Sequence, residues 1–145
     1  MLFEALATLC GGLFAGAAIY ITFVEHPARL ECGTELAATE FGPSYRRAAL
    51  MQASLAALGL GAAVVAWGQG RALTVLLGGL LLGAVIPFTL LVILPTNKRL
   101  LDPRLDRGSA EAEALLARWG QLHAVRSALG TLAFGIFVWH LAGPG

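Results

Sequence analysis

Three stretches without a single charged residue, Ala5–Val24, Ala48–Gly70 and Ala72–Asn97, constrain this chain more than any motif in it. Each reaches the roughly 20 residues that an α-helix needs to cross a hydrocarbon core about 30 Å thick. A bilayer interior offers no water to the backbone, so segments of this kind are expected to satisfy their N–H and C=O groups as helices. A fourth stretch, Ser127–Gly145, is uncharged apart from the titratable His140 and attains spanning length if its helix starts near Leu122. Only 13% of the 145 residues are charged, against about 25% in soluble domains, which excludes a soluble domain.

The expected fold is all-α: a single integral-membrane domain over residues 1–145, a four-helix bundle of two helical hairpins, with helices near 3–26, 44–67, 72–94 and 110–141. Glu4 precedes every Lys and Arg, and the apolar run outlasts the roughly 7–15 residues of a signal-peptide core, so the first segment is expected to be retained. Pro27 is expected to stop helix one. The connection from Arg29 to Ser44 leaves room for a short interfacial helix after Thr34, and Gly42-Pro43 reads as a turn. Pro87 lies inside helix three and predicts a kink that frees the carbonyl near Gly83, with Thr89 available to re-satisfy a backbone group. That helix is expected to end in Leu94-Pro95-Thr96-Asn97. Ser109 reads as the N-cap of helix four, with Glu111 and Glu113 in its first turn. Helix four, roughly 48 Å long at 1.5 Å per residue, must project beyond the membrane or bend near Gly120. Cys10 and Cys32 sit near opposite ends of one span, too far apart for a disulfide.

A weak internal repeat accompanies this pattern. Gly11 to Pro27 resembles Gly79 to Pro95 at an offset of 68, and Arg47, Gln52 and Gly59 match Arg118, His123 and Gly130 at an offset of 71. Two hairpins of the same orientation would be related by an axis along the membrane normal.

The Glu25–Arg47 and Lys98–Arg126 regions hold nine of the ten basic residues, and only Arg71 lies on the other side. Lys and Arg accumulate on cytoplasmic loops, so the expected placement is a bacterial cytoplasmic membrane with both long connections cytoplasmic and both termini outside. That topology brings Glu25 and His26, Arg46, Asn97, and His123 with Arg126 to one membrane level. Trp119, His123, Arg126 and Gly130, spaced 4, 3 and 4 apart, share a helix face. Ionisable groups at membrane depth are costly and are functional-site hypotheses by default. Gln52 is the only strongly polar residue inside helix two, and Tyr20 and Thr89 lie on helices one and three.

Glu25-His26-Pro27-Ala28-Arg29, Tyr45-Arg46-Arg47, Thr89 with Leu94-Pro95-Thr96-Asn97, and Trp119 with Leu122-His123-Val125-Arg126 follow one another in an order that resembles the anthrone oxygenase-like family of small membrane proteins, long catalogued as a domain of unknown function. The resemblance runs across nearly the whole chain. It implies a four-helix membrane fold and, from fungal members in polyketide pathways, oxidation of an anthrone to an anthraquinone; many bacterial members have no assigned activity. The substrate class it implies is a small apolar aromatic ketone or phenol, oxidised with O2 in a base-assisted reaction and reaching the site from the lipid bilayer. Such chemistry needs a base, a cation or donor for an oxyanion, and an apolar slot. His123 is the base candidate and Arg126 the cation; His26 with Glu25 forms a second acid/base pair. Trp119, Asn97, Arg46, Gln52, Tyr20 and Thr89 are the candidate substrate contacts.

Structural readings stand beside each assignment. Trp119 and Tyr45 suit an interfacial aromatic belt, Arg126 could snorkel to the surface, and His140 beside Trp139 reads as an interface residue. No cofactor is expected. Glu25, His26 and His123 are weak metal candidates, since no HxxxH, ExxH or CxxC spacing supports them. Haem, nucleotide and nucleic-acid sites have no support. The alternative to an enzyme is a non-catalytic membrane protein that binds or carries a small apolar ligand, or an accessory subunit. The glycine faces suit either closure of the bundle or a homo-oligomer.

Overall fold

A computed structural model describes residues 1–143. Four helices are long and apolar enough to cross a membrane: α1 (Leu2–Glu31), α2 (Thr34–Gly68), α3 (Leu73–Leu100) and α4 (Ala110–Ala142). There is no strand among the described residues. Helix α1 packs on α2 and α4, and α3 packs on the same two, so the helices form a four-cornered bundle in chain order.

Three proline signals misled the reading of helix ends. Pro27 does not stop the first helix: α1 widens into a π turn over Ile21–Glu25, closed by the bond from the His26 N–H to the Ile21 carbonyl, and runs on as α-helix to Glu31. Helix α3 repeats the device over Thr89–Ile93, with the Leu94 N–H bonded to the Thr89 carbonyl, and runs on through Pro95 to Leu100. In both, the wide turn restarts the helix so that proline falls in a first turn, where a missing N–H costs nothing. The two π turns stand 68 residues apart, the offset of the sequence repeat. Gly42-Pro43 is not a turn either. The expected interfacial helix and helix two are one 35-residue helix, with Pro43 inside it and its ring exposed. The first long connection therefore shrinks to the Cys32-Gly33 corner, where Gly33 has φ 92, a conformation that glycine takes without penalty.

Near Pro87 the expected irregularity is found, but Thr89 serves the Val85 carbonyl rather than that of Gly83. Helix α3 is irregular at Ala84, between Leu73–Gly83 and Val85–Phe88, and the Thr89 hydroxyl bonds the Val85 carbonyl at 2.7 Å. Ser109 caps α4, accepting from the Ala112 N–H at 3.2 Å. Helix α4 passes Gly120 without interruption and, like α2, is roughly 50 Å long at 1.5 Å per residue. In the loop before it, the Asp102 carboxyl is held down to about 2, first by the Arg104 side chain and then by the Arg104 backbone N–H.

Alanines are frequent in the bundle interior, beside a few large apolar side chains, and many of the leucines face outward. Ala7, Ala18, Ala56, Ala63 and Ala133 are fully or almost fully buried, whereas Leu9, Leu50, Leu58, Leu91 and Leu132 are exposed. This suits a helix pack in lipid, where close backbone approach rather than water exclusion holds helices together. Two apolar clusters result. One joins Ala7, Phe14, Ala56, Leu82 and Phe137; the other joins Ile21, Phe41, Ile93, Leu116 and Trp119. At the far end from the second cluster, Glu4 receives a hydrogen bond from His140 at 2.8 Å, and His140 in turn meets Thr74 at 3.0 Å. His140 thus ties α4 to α1 and α3 rather than only marking an interface. Both cysteines are free, Cys10 buried and Cys32 exposed.

The close approaches predict a sharp asymmetry between two glycines of α4. A Cβ on Gly130 would lie 2.5 Å from the Phe14 ring, whereas one on Gly135 would meet nothing within 4 Å. Gly130→Ala should destabilise the detergent-solubilised protein by about 1–3 kcal/mol, while Gly135→Ala leaves it unchanged or slightly more stable. Thermal unfolding followed by helical circular dichroism checks this, and equal midpoints would contradict the packing.

Candidate functional site

Between the two apolar clusters three of the helices, α1, α2 and α4, carry polar residues inward, and these form a layer across the bundle. Thr22 and His26 come from α1, Gln52 from α2, and His123, Arg126 and Ser127 from α4; all but Thr22 are buried. The spacing of Trp119, His123 and Arg126 does put them on one buried face of α4. Trp119 organises the layer's lower edge. It stacks on His123 with ring centroids 4.8 Å apart, tilts against His26 at 5.0 Å and takes the edge of Phe41 at 5.2 Å. The Arg29 guanidinium lies 5.7 Å from the centre of its ring, within cation–π range.

His123 Nδ1 lies 3.1 Å from the Thr22 hydroxyl, which lies 2.7 Å from that of Ser127. Arg126 donates to Gln52 Oε1 at 2.9 Å and covers the Phe14 ring at 5.7 Å. At 7% exposure it does not snorkel. His26 Nε2 bonds the Leu116 carbonyl at 3.1 Å, against Gly120, where a Cβ would come within 2.7 Å of that nitrogen. Glycine is required there for the imidazole to reach its partner. His26 Nδ1, Gln52 Nε2, Arg126 Nε and both amide atoms of Asn97 are buried without a hydrogen bond. Unsatisfied groups of this kind are rare in native interiors, and those of Gln52 and Arg126 belong to residues that line a cavity.

Arg29, Tyr45, Gln52, Trp119, His123 and Arg126 surround a cavity of about 20 Å³, room for about one water. Tyr45, Ala49 and Arg126 also line a second space of about 160 Å³, an apolar groove between α2 and α3 floored by Val85, Ile86, Thr89 and Leu90. The same three residues border both, so the guanidinium stands between the cavity and the groove. On the opposite side of the bundle, Thr22 and Ser127 lie at the back of a shallower apolar groove between α1 and α4.

Several expected site residues are elsewhere. Tyr20 is 54% exposed, one position from the inward-facing Ile21 and a helical rotation away from the layer. Arg46 is exposed and borders neither cavity nor groove. Glu25 and His26 do not form a pair: as chain neighbours on a helix they diverge, His26 inward and Glu25 outward, where its carboxylate is held by Arg29 and Ser44. Thr89 borders the groove with its hydroxyl already committed to Val85. Asn97 is fully buried but does not line the cavity. Glu25, His26 and His123 do not assemble as a metal set; no group of three or more His, Cys, Asp or Glu side chains converges among the described residues. Sequence reasoning missed Arg29, Thr22 and Ser127 as parts of the site. Arg29 is three residues beyond His26 on the same helix, and it also pairs with Glu40 at 2.7 Å outside hydrogen-bond geometry. Ser127 is one turn beyond His123. Helical spacing was the available signal for both.

Gln52→Leu removes the one side chain bonded to the buried Arg126 guanidinium. The expected loss is about 1.5–3 kcal/mol, the usual worth of a hydrogen bond to a charged group, read as a lower unfolding midpoint; a gain in stability would show that Arg126 finds another partner.

The comparisons with known proteins bear on the same residues. The anthrone oxygenase family profile matches residues 41–136, which include Gln52, Trp119, His123 and Arg126. The chain is 30% identical over 134 residues to the anthrone oxygenase tpcL of Aspergillus fumigatus, covering 86% of this chain and 83% of that protein. No solved structure matches. With the profile spanning most of the chain and the likeness extending over nearly all of both proteins, this four-helix protein belongs to the anthrone oxygenase family.

Proposed function

We propose that the protein oxidises a small apolar aromatic ketone of the anthrone type with O2, in a base-assisted reaction without a cofactor. The observation that carries this reading is the meeting of His123 and Arg126 at a cavity that shares Tyr45, Ala49 and Arg126 with a neighbouring apolar groove. The benzylic methylene of an anthrone is acidic because its anion is aromatic. His123 takes one methylene proton, and the electron pair delocalises onto the ketone oxygen, where the Arg126 guanidinium meets it. Arg126 suits the task because it stays charged and its planar donors can reorient from Gln52 to an oxyanion. O2 then adds to the electron-rich carbon and, with a proton, gives a hydroperoxide. Loss of the second C–H proton with cleavage of the O–O bond yields the quinone carbonyl and water. One ketone and one O2 thus become one quinone and one water.

A tricyclic ketone is far larger than the cavity of about 20 Å³. In this reading its rings lie in the α2–α3 groove, reached from the bilayer, and its reacting edge passes Tyr45 and Ala49 into the cavity. Trp119 forms the back wall beside His123. The Gln52–Arg126 and Thr22–His123 bonds, which fill part of the layer, favour a second reading: a non-catalytic carrier or accessory subunit holding an apolar ligand in the groove.

Oxygen uptake with a panel of anthrones separates the two. The unaltered protein should consume O2 in step with quinone formation, with a loss of about a hundredfold or more in His123→Ala and in Arg126→Ala. Equal rates in all three would remove this mechanism, and quenching of Trp119 fluorescence by an anthrone without O2 uptake would favour the carrier.

We further propose that the end of the bundle bearing the site faces the cytoplasm, because nine of the ten basic residues lie toward it. Reporter fusions after the last residue and within the 101–109 loop should report opposite sides, with the loop inside; a cytoplasmic C-terminus would reverse the assignment.

A further inference from the structure

Hydroxyl groups inside helices normally return their proton to the carbonyl four residues back, and this chain follows that habit at Thr8, Thr39, Ser54, Thr89 and Thr131. Thr22 breaks it. Its acceptor would be the Ala18 carbonyl, which instead lies 3.0 Å from the Ser127 hydroxyl, arriving from α4. Thr22 opens the π turn's first residues, and its hydroxyl faces across to α4, 2.7 Å from Ser127 and 3.1 Å from His123 Nδ1.

The donors and acceptors in this chain can be assigned in order. A carbonyl can only accept, so Ser127 donates to the Ala18 carbonyl, with its own His123 carbonyl at 3.2 Å as a second acceptor. Its hydroxyl proton is then committed, and the short contact with Thr22 requires Thr22 to donate to Ser127. With that proton committed in turn, the Thr22 oxygen can only accept from the ring. The reverse order would set the Ser127 oxygen's lone pairs against two carbonyl oxygens. We infer that Thr22 and Ser127 are positioning residues that hold His123 as the Nδ1–H tautomer, leaving the Nε2 lone pair directed at the cavity as the base.

The inference rests on the proposed role of His123 and specifies which nitrogen acts. Nε2 has no hydrogen-bond partner among the described residues, and the ring lines the cavity. The substrate's C–H proton moves to Nε2 while its electron pair stays on carbon, and the resulting imidazolium keeps its Nδ1–H bond to Thr22. Because the chain His123–Thr22–Ser127 ends on a main-chain carbonyl, it orients the ring and does not conduct the proton away. Stacking on Trp119 limits rotation of the ring, so orientation and tautomer are set together.

The test is nitrogen NMR of 15N-histidine-labelled protein in detergent, with His123 identified as the resonance pair that remains in a His26→Gln, His140→Gln double variant. Where the ring is neutral, the proton should reside on Nδ1. In Thr22→Val the population should shift toward Nε2–H, and in Thr22→Ser it should return. Oxygen uptake in Thr22→Val should fall about ten- to a hundredfold in kcat with KM little changed, and recover in Thr22→Ser. An Nε2–H tautomer in the unaltered protein, or one unmoved by Thr22→Val, overturns the inference. The NMR readout needs no substrate, so a protein that holds the Nδ1–H tautomer but consumes no O2 would sink the oxygenase reading and leave the tautomer assignment standing.

Discussion

A guanidinium inside hydrocarbon has no water to fall back on, and the middle of this bundle is arranged around that fact. Arg126 is buried on α4, bonded to Gln52 and set over Phe14, with its Nε buried and unpaired. Removing such a charge from water costs several kcal/mol even after relaxation, so a chain that carries one at this depth needs partners from other helices to hold it. The inward Gln52, the sole strongly polar residue of α2 between Ala48 and Gly68, has its explanation here. So does the small-residue interior: alanine and glycine let four helices approach closely enough for side chains of α1, α2 and α4 to meet in one layer.

The same layer depends on how the chain negotiates its prolines. A helix that ended at Pro27 would leave His26 fraying at a surface, whereas the π turn carries α1 onward and seats the imidazole against Gly120 and the Leu116 carbonyl. One extra residue in a turn also rotates everything that follows, which is why single π turns recur at functional places in helices. Beyond the turn the imidazole of His26 points to the interior, while the neighbouring Glu25 carboxylate goes to Arg29 and Ser44 at the rim.

The number of helices and the buried face of α4 were legible because each is encoded by length or by spacing along one helix. The four-residue step from Trp119 to His123 and the three-residue step to Arg126 needed no knowledge of the rest of the fold. Helix ends were not legible, since proline reads as a stop unless a preceding π turn is known, and nothing in the composition of Ile21–Glu25 or Thr89–Ile93 announces one. Rotation was the other blind spot. Membrane depth placed Arg46 level with the site, but depth says nothing about which way a side chain turns, and Arg46, like Tyr20, faces outward. Thr22 and Ser127 were not read as site residues because hydroxyls on apolar helices usually bond their own backbone; only the crossing of two helices reveals that both bond across it.

The two π turns, 68 residues apart, occupy matching places in the two hairpins, and the layer has matching members too: Gln52 in one hairpin stands where His123 stands in the other, 71 residues on. The position in α3 that corresponds to Thr22 is Leu90, exposed and bordering the α2–α3 groove. One backbone design therefore carries a hydroxyl on one side and an oily side chain on the other. The hydroxyl side is locked across to its neighbouring helix, and the leucine side has nothing to lock. The two sides of the bundle therefore differ at matched positions, a hydroxyl that grips the neighbouring helix on one and a leucine set beside the groove on the other.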